Sequence, residues 1–174
     1  MSLVAARVLA LEAAFRRIAA TRMAGLPLLQ PGLAVQAVGF EPEPDDAGLA
    51  WGVLITPWFM NLLRLPLMAE NAQRLPEPGV AADWTVGGHA VGCLGAEEPL
   101  LGPGPLARYA LCSLHSPMHH FADQPRALAA AHEVLELLRP APAMQPLPAA
   151  APVGAPPPSR RGFLFGRGQP PGTP

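Results

Sequence analysis

The sequence predicts an α+β fold, an antiparallel sheet with an N-terminal and a C-terminal helix packed on it, followed by a Pro/Ala-rich flexible tail. Three observations lead there. The first and last thirds of residues 1–139 carry apolar residues at helical spacing, and the middle carries short apolar runs broken by Gly and Pro. Of the 24 prolines, 11 fall between Pro140 and Pro174, which divides the chain into a domain at 1–139, a linker at 140–158 and an Arg/Phe motif at 159–174.

Val4, Val8, Leu11, Phe15 and Ile18 form one apolar stripe, with Arg7, Glu12, Arg16 and Arg17 off it. With Ser2 as cap and Gly25-Leu26-Pro27 as stop, this is a helix over about 3–23. Leu33 to Phe40 reads as a strand ended by the acidic turn Glu41 to Asp46, and a second strand covers Leu49 to Thr56. Pro57 cannot donate to a ladder and ends it; Trp58-Phe59-Met60 and a short apolar run to Pro66 follow. Further strands are expected at 82–86, 88–96 and 106–114, an antiparallel meander in outline. Asp123 or Gln124 then caps a helix with Pro125 in its first turn and Leu128, Ala131, Leu135 and Leu138 on its apolar face.

Composition narrows the chemistry. Half the residues are hydrophobic and 14% are charged, which suits a folded core. A net charge of -1 supplies no basic field for nucleic acid, and no apolar stretch reaches the ~20 residues of a membrane span. All 12 basic residues are arginine, so any mechanism that needs a lysine, such as a Schiff base or a phosphate-loop lysine, is excluded. Cys93 and Cys112 read as reduced thiols. The N-terminus has no signal-peptide pattern, which predicts a cytoplasmic location.

His115, His119, His120 and His132 lie close in sequence to Cys112 and raise a transition-metal site, nickel in particular. No paired zinc-ligand spacing accompanies them, and solvated histidines are the simpler reading, so no metal and no cofactor is assigned. Cys112 with His115 lacks the context of a catalytic nucleophile, and no catalytic residue is assigned either. Thr56, Pro57, Trp58, Phe59 and Met60 place three large apolar side chains after a strand-ending proline. Such a segment is either core or a partner anchor.

Ile55-Thr56-Pro57-Trp58-Phe59-Met60, then Ser113-Leu114-His115-Ser116-Pro117-Met118, then Arg160-Arg161-Gly162-Phe163-Leu164-Phe165-Gly166 occur in order, and on these motifs the chain resembles the HybE family, also known as HupJ or HoxT. The resemblance implies a non-catalytic hydrogenase maturation chaperone. Its partner would be the large or small subunit precursor of a [NiFe]-hydrogenase, held before complex formation and export, with no nucleic acid and no membrane insertion. It also implies a shared partner-binding surface. Trp58, Phe59, Met60, Ser116, Pro117, Met118 and Phe121 are expected at one end of the sheet as a single apolar patch, with Arg160, Arg161 and Phe163 reaching it from the tail. The tail motif copies the opening of a twin-arginine export signal but has no apolar region after it, so it is expected to contact either the client or the domain itself. A nickel-delivery protein and a structural subunit of the complex are the alternatives.

Overall fold

The computed structural model describes residues 1–139; the linker at 140–158 and Arg160, Arg161 and Phe163 lie outside the described residues. Helix α1 spans Leu3–Ala20, and Ser2 caps it by accepting a hydrogen bond from the Ala5 amide at 3.1 Å. Six strands follow: β1 (Gln36–Pro42), β2 (Leu49–Ile55), β3 (Met60–Pro66), β4 (Ala81–Val86), β5 (His89–Glu97) and β6 (Arg108–His115). Helix α2 spans Gln124–Leu138, with Asp123 accepting from the Arg126 amide at 3.0 Å and Pro125 in its first turn.

The strands form one antiparallel sheet in the order β1-β2-β3-β6-β5-β4. Two three-stranded meanders are thus joined through β3 and β6. The expected α+β class holds, and one strand was not expected: the apolar run to Pro66 is β3, at the centre of the sheet. Both of its faces are covered, so its sequence has no polar-apolar alternation to mark it as a strand. β1 starts three residues later than expected, at Gln36, because its partner β2 ends at Ile55, which pairs with Gln36; Leu33 and Val35 are buried in the approach to it.

The helices take opposite faces. On one side Leu11, Ala14, Phe15 and Ile18 of α1 pack with Leu54, Leu63 and Leu65. On the other, Ala127, Ala131, Leu135 and Leu138 of α2 pack with Trp51, Val53, Ile55, Met60 and Leu62. The apolar stripe of α1 is rotated from the expected one: Arg7 is buried, and Val4 and Val8 lie at the margin. Residues 7, 11, 14, 15 and 18 make a continuous helical face. The Arg7 guanidinium is accommodated there because it donates to the carbonyls of Leu101 at 2.9 Å and Leu106 at 2.8 Å. Burial pushes its pKa down from the usual arginine value.

The β4–β5 hairpin leans over the α2 side. Trp84 meets Trp51 edge-on at 6.1 Å, and the Arg64 guanidinium lies 4.9 Å from the Trp84 ring centre while bonding Glu43 at 2.5 and 2.9 Å. At the hairpin tip Gly87, with φ +56°, lies so close to Leu138 that a Cβ there would fall 1.8 Å from its carbonyl oxygen. β5 pairs with β6 only from Leu94 to Glu97, and from His89 to Cys93 its ladder partner is β4 alone.

Candidate functional site

The β2–β3 connection is a four-residue loop, Thr56 to Phe59, closed by the Thr56 amide donating to the Phe59 carbonyl at 2.8 Å. Thr56 is fully buried, and its hydroxyl oxygen accepts from the amides of Phe59 at 2.9 Å and Trp58 at 3.3 Å. The same hydroxyl donates to the Phe59 carbonyl at 3.0 Å. A threonine side chain thus supplies the loop's internal hydrogen bonding, and Pro57 is favourable because its position needs no donor.

Trp58 and Phe59 turn towards α1 and are half-buried. Phe15 stacks on Trp58 at 6.5 Å and meets Phe59 edge-on at 5.7 Å, and Tyr109 closes the group at 6.4 Å from Phe15. Burial raises the Tyr109 pKa, with Glu98 adding to the effect and Arg22 opposing it.

The second motif segment does lie at the same end of the sheet, because Met60, the first residue of β3, faces His115, the last of β6. After His115 the chain passes a cis Ser116–Pro117 bond, with both residues exposed, and turns back into the core. Met118 is fully buried and Phe121 is 7% exposed. Both belong to the layer under α2, together with Met60.

The sheet therefore divides the expected patch. Trp58 and Phe59 pack on the α1 side, whereas Met60, Met118 and Phe121 are core residues on the α2 side. The physical reason is that the loop reverses at Pro57 while the 116–121 segment curls under the sheet, so neighbours at one end separate onto two faces. What remains at the surface is a rim made of Pro57, the exposed parts of Trp58 and Phe59, Ser116 and Pro117.

A residue without a sequence signal ties this rim together. The Gln30 amide donates to the Pro57 carbonyl at 2.8 Å, and its side-chain Nε2 donates to the Phe121 carbonyl at 2.6 Å. One glutamine, in the loop after α1, thus bridges both motif segments. Nothing in a lone loop glutamine predicts that. Gln124 reinforces the strap, accepting from the Ala34 amide at 2.9 Å and donating to Gln36 at 2.8 Å.

Of the histidines, His115 and His120 come together, ring centres 4.9 Å apart, with Phe121 against both. Desolvation, and secondarily the charge of His120, lowers the His115 pKa below the ordinary imidazole value. His132 is exposed on α2, and His119 is exposed in the loop. Among the described residues, no three His, Cys, Asp or Glu side chains converge as a metal-ligand set.

A separate cleft of about 360 Å³ lies between the β1–β2 and β4–β5 turns, lined by Glu43, Asp45, Asp46, Arg64, Trp84 and Gly88. It holds charge that is largely paired, Arg64 with Glu43 and Arg74 with Asp46. Among the described residues no helix is long and apolar enough to cross a membrane.

Comparison with known proteins adds the family. Residues 6–166 match the family described as "[NiFe]-hydrogenase assembly, chaperone, HybE". Protein HoxT of Cupriavidus necator is 48% identical over 169 residues, covering 92% of this chain and 89% of that protein. The hydrogenase expression/formation protein HoxT of Azotobacter vinelandii is 39% identical over 158 residues, covering 91% and 90%. The solution structure of HybE from Escherichia coli has the same fold, with a TM-score of 0.55 at 21% identity over 94% of this chain and 91% of that one. The matched span runs from the first turn of α1 through all six strands and α2, and on that ground the chain belongs to the HybE family of [NiFe]-hydrogenase assembly chaperones.

Proposed function

We propose that the protein binds a [NiFe]-hydrogenase subunit precursor in the cytoplasm, assists its assembly before complex formation and export, and does so as a chaperone and not as an enzyme. The family match carries this reading. The rim at the β2–β3 loop gives it a physical form. Trp58 and Phe59 offer partly exposed aromatic area on a loop held rigid by Thr56 and Gln30, and pre-ordered aromatic groups lose little entropy on binding. Pro57, Ser116 and Pro117 complete the contact surface, and Met60, Met118 and Phe121 are core residues at the same end of the sheet on its α2 side. Arg160, Arg161 and Phe163 are assigned to the same client contact from outside the described residues.

The rim itself carries no charged side chain, so its share of the binding should depend on apolar burial, at roughly 25 cal/mol per Å², and not on nucleotide, with any salt dependence coming from Arg160 and Arg161. Affinity purification from cells that accumulate the precursor, beside cells holding only mature hydrogenase, tests the proposal. Recovery with precursor alone is the expected result. Co-purification with the active mature enzyme would assign a structural subunit, and stoichiometric nickel on the isolated protein would assign metal delivery.

A further inference from the structure

Cys93 and Cys112 are 19 positions apart in the chain, yet the strand register brings both to the same end of the β5–β6 ladder. The last paired residues of β5 and β6 are Leu94 with Leu111, preceded by Gly95 with Ala110. Carrying that register one step past the end of the ladder sets Cys93 across from Cys112, although the two are not themselves a ladder pair. Both side chains pack into the same layer, under α2, as facing residues must. Both also border one cleft of about 490 Å³ among β4, β5 and β6. Both are free thiols, Cys93 buried and Cys112 partly exposed.

We propose that Cys93 and Cys112 form a redox-active dithiol that closes to an intrachain disulfide across β5 and β6. Within a ladder, directly facing residues have Cα atoms about 4.5–5.5 Å apart, and a disulfide accepts roughly 4.4–6.8 Å, so closure requires the strands to approach ladder spacing one residue beyond their last pair. The site lies where the β5–β6 ladder stops, so the strands have freedom to adjust there. The oxidant is a low-molecular-weight disulfide such as oxidised glutathione. Cys112, the more exposed thiol, loses its proton and attacks one sulfur of the oxidant, releasing one glutathione thiol. Cys93 then loses its proton and attacks the Cys112 sulfur, releasing the second. One S–S bond is broken in the oxidant and one is formed in the protein, with two electrons passing to the two glutathione thiols.

Burial holds both thiols above the ordinary cysteine pKa; Asp83, Glu43 and Cys112 add to this for Cys93 and Arg64 opposes it. Thiolate attack is therefore slower at neutral pH than for an ordinary cysteine and accelerates under alkaline conditions.

The test uses the full chain, reduced, folded and equilibrated with glutathione redox buffers, then acid-quenched for intact mass and thiol counting. The expected product has lost two hydrogens and both thiols, carries no glutathione, and melts at a higher temperature than the reduced protein. The disulfide should also form with an equilibrium constant at least about tenfold larger in the folded protein than in urea, because the native register holds the thiols at high effective concentration. Cys112→Ser, a change at a partly exposed position, should abolish the two-hydrogen loss. A persistent glutathione adduct, a disulfide-linked dimer, no reaction, or a melting temperature lowered by oxidation would overturn the proposal. So would an equilibrium constant equal to or below that in urea.

Discussion

Replacing Thr56 with valine removes one hydroxyl and keeps the side-chain shape, so it isolates what that hydroxyl contributes to the β2–β3 loop. In the native loop the hydroxyl oxygen accepts from the Phe59 amide at 2.9 Å and, with longer geometry, from the Trp58 amide at 3.3 Å. The Phe59 carbonyl keeps its bond from the Thr56 amide at 2.8 Å, so the acceptor side stays satisfied. The loss is then one orphaned donor, the Phe59 amide, and part of a second, the Trp58 amide, both facing a Thr56 side chain with no exposed surface. An unsatisfied buried donor costs ~1–3 kcal/mol, which sets the expected destabilisation of Thr56→Val at about 2 kcal/mol. For a folded unit of this size that corresponds to a fall of roughly 6–8 °C in Tm. Urea unfolding followed by tryptophan fluorescence measures it, with an unchanged m-value required if the denatured state is unaffected. Thr56→Ser retains the hydroxyl and loses one methyl, so amide exchange at Phe59 should stay slow in the serine variant and quicken in the valine variant. A valine variant within about 0.5 kcal/mol of the parent, or unchanged Phe59 exchange, would refute the assignment of the loop's order to this hydroxyl.

Met118→Ala should cost about 2–5 kcal/mol, because the side chain is fully buried beneath the sheet, and circular dichroism melting will show whether the loss is in folding and not only in client binding. Gln30→Ala should cost roughly 1 kcal/mol through the lost bond to the Phe121 carbonyl, and hydrogen exchange should quicken in the 116–121 segment, which a purely local loop effect would leave unchanged. The lowered His115 pKa means that, as pH falls through the ordinary imidazole range, the unfolded chain takes up its proton before the folded one does. Stability is therefore lost on acidification through that range and levels off below the folded-state pKa. His115→Asn should flatten this part of the Tm-against-pH curve, and an unaltered slope would remove His115 as its source.

Much of the architecture is legible along the chain because it depends on local chemistry. Ser2 and Asp123 cap their helices through bonds three residues long, and Pro57 and Gly87 end strands through their own backbone constraints. The α+β class, both helices, five of the six strands and the HybE resemblance all follow from such short-range features. Four matters were decided by long-range packing. β3 has no alternating pattern because both helices cover it, one on each face. Arg7 is buried because carbonyls some 94 and 99 residues away receive its guanidinium. Trp58 and Phe59 part company with Met118 and Phe121 because strand pairing sets the end of the sheet, whereas chain direction after it sets the face. Gln30 acquires its bridging role, and Cys93 and Cys112 their place at one end of the β5–β6 ladder, only through contacts between distant segments, and composition and spacing carry no record of register, which is fixed by the side chains that the two layers can bury together.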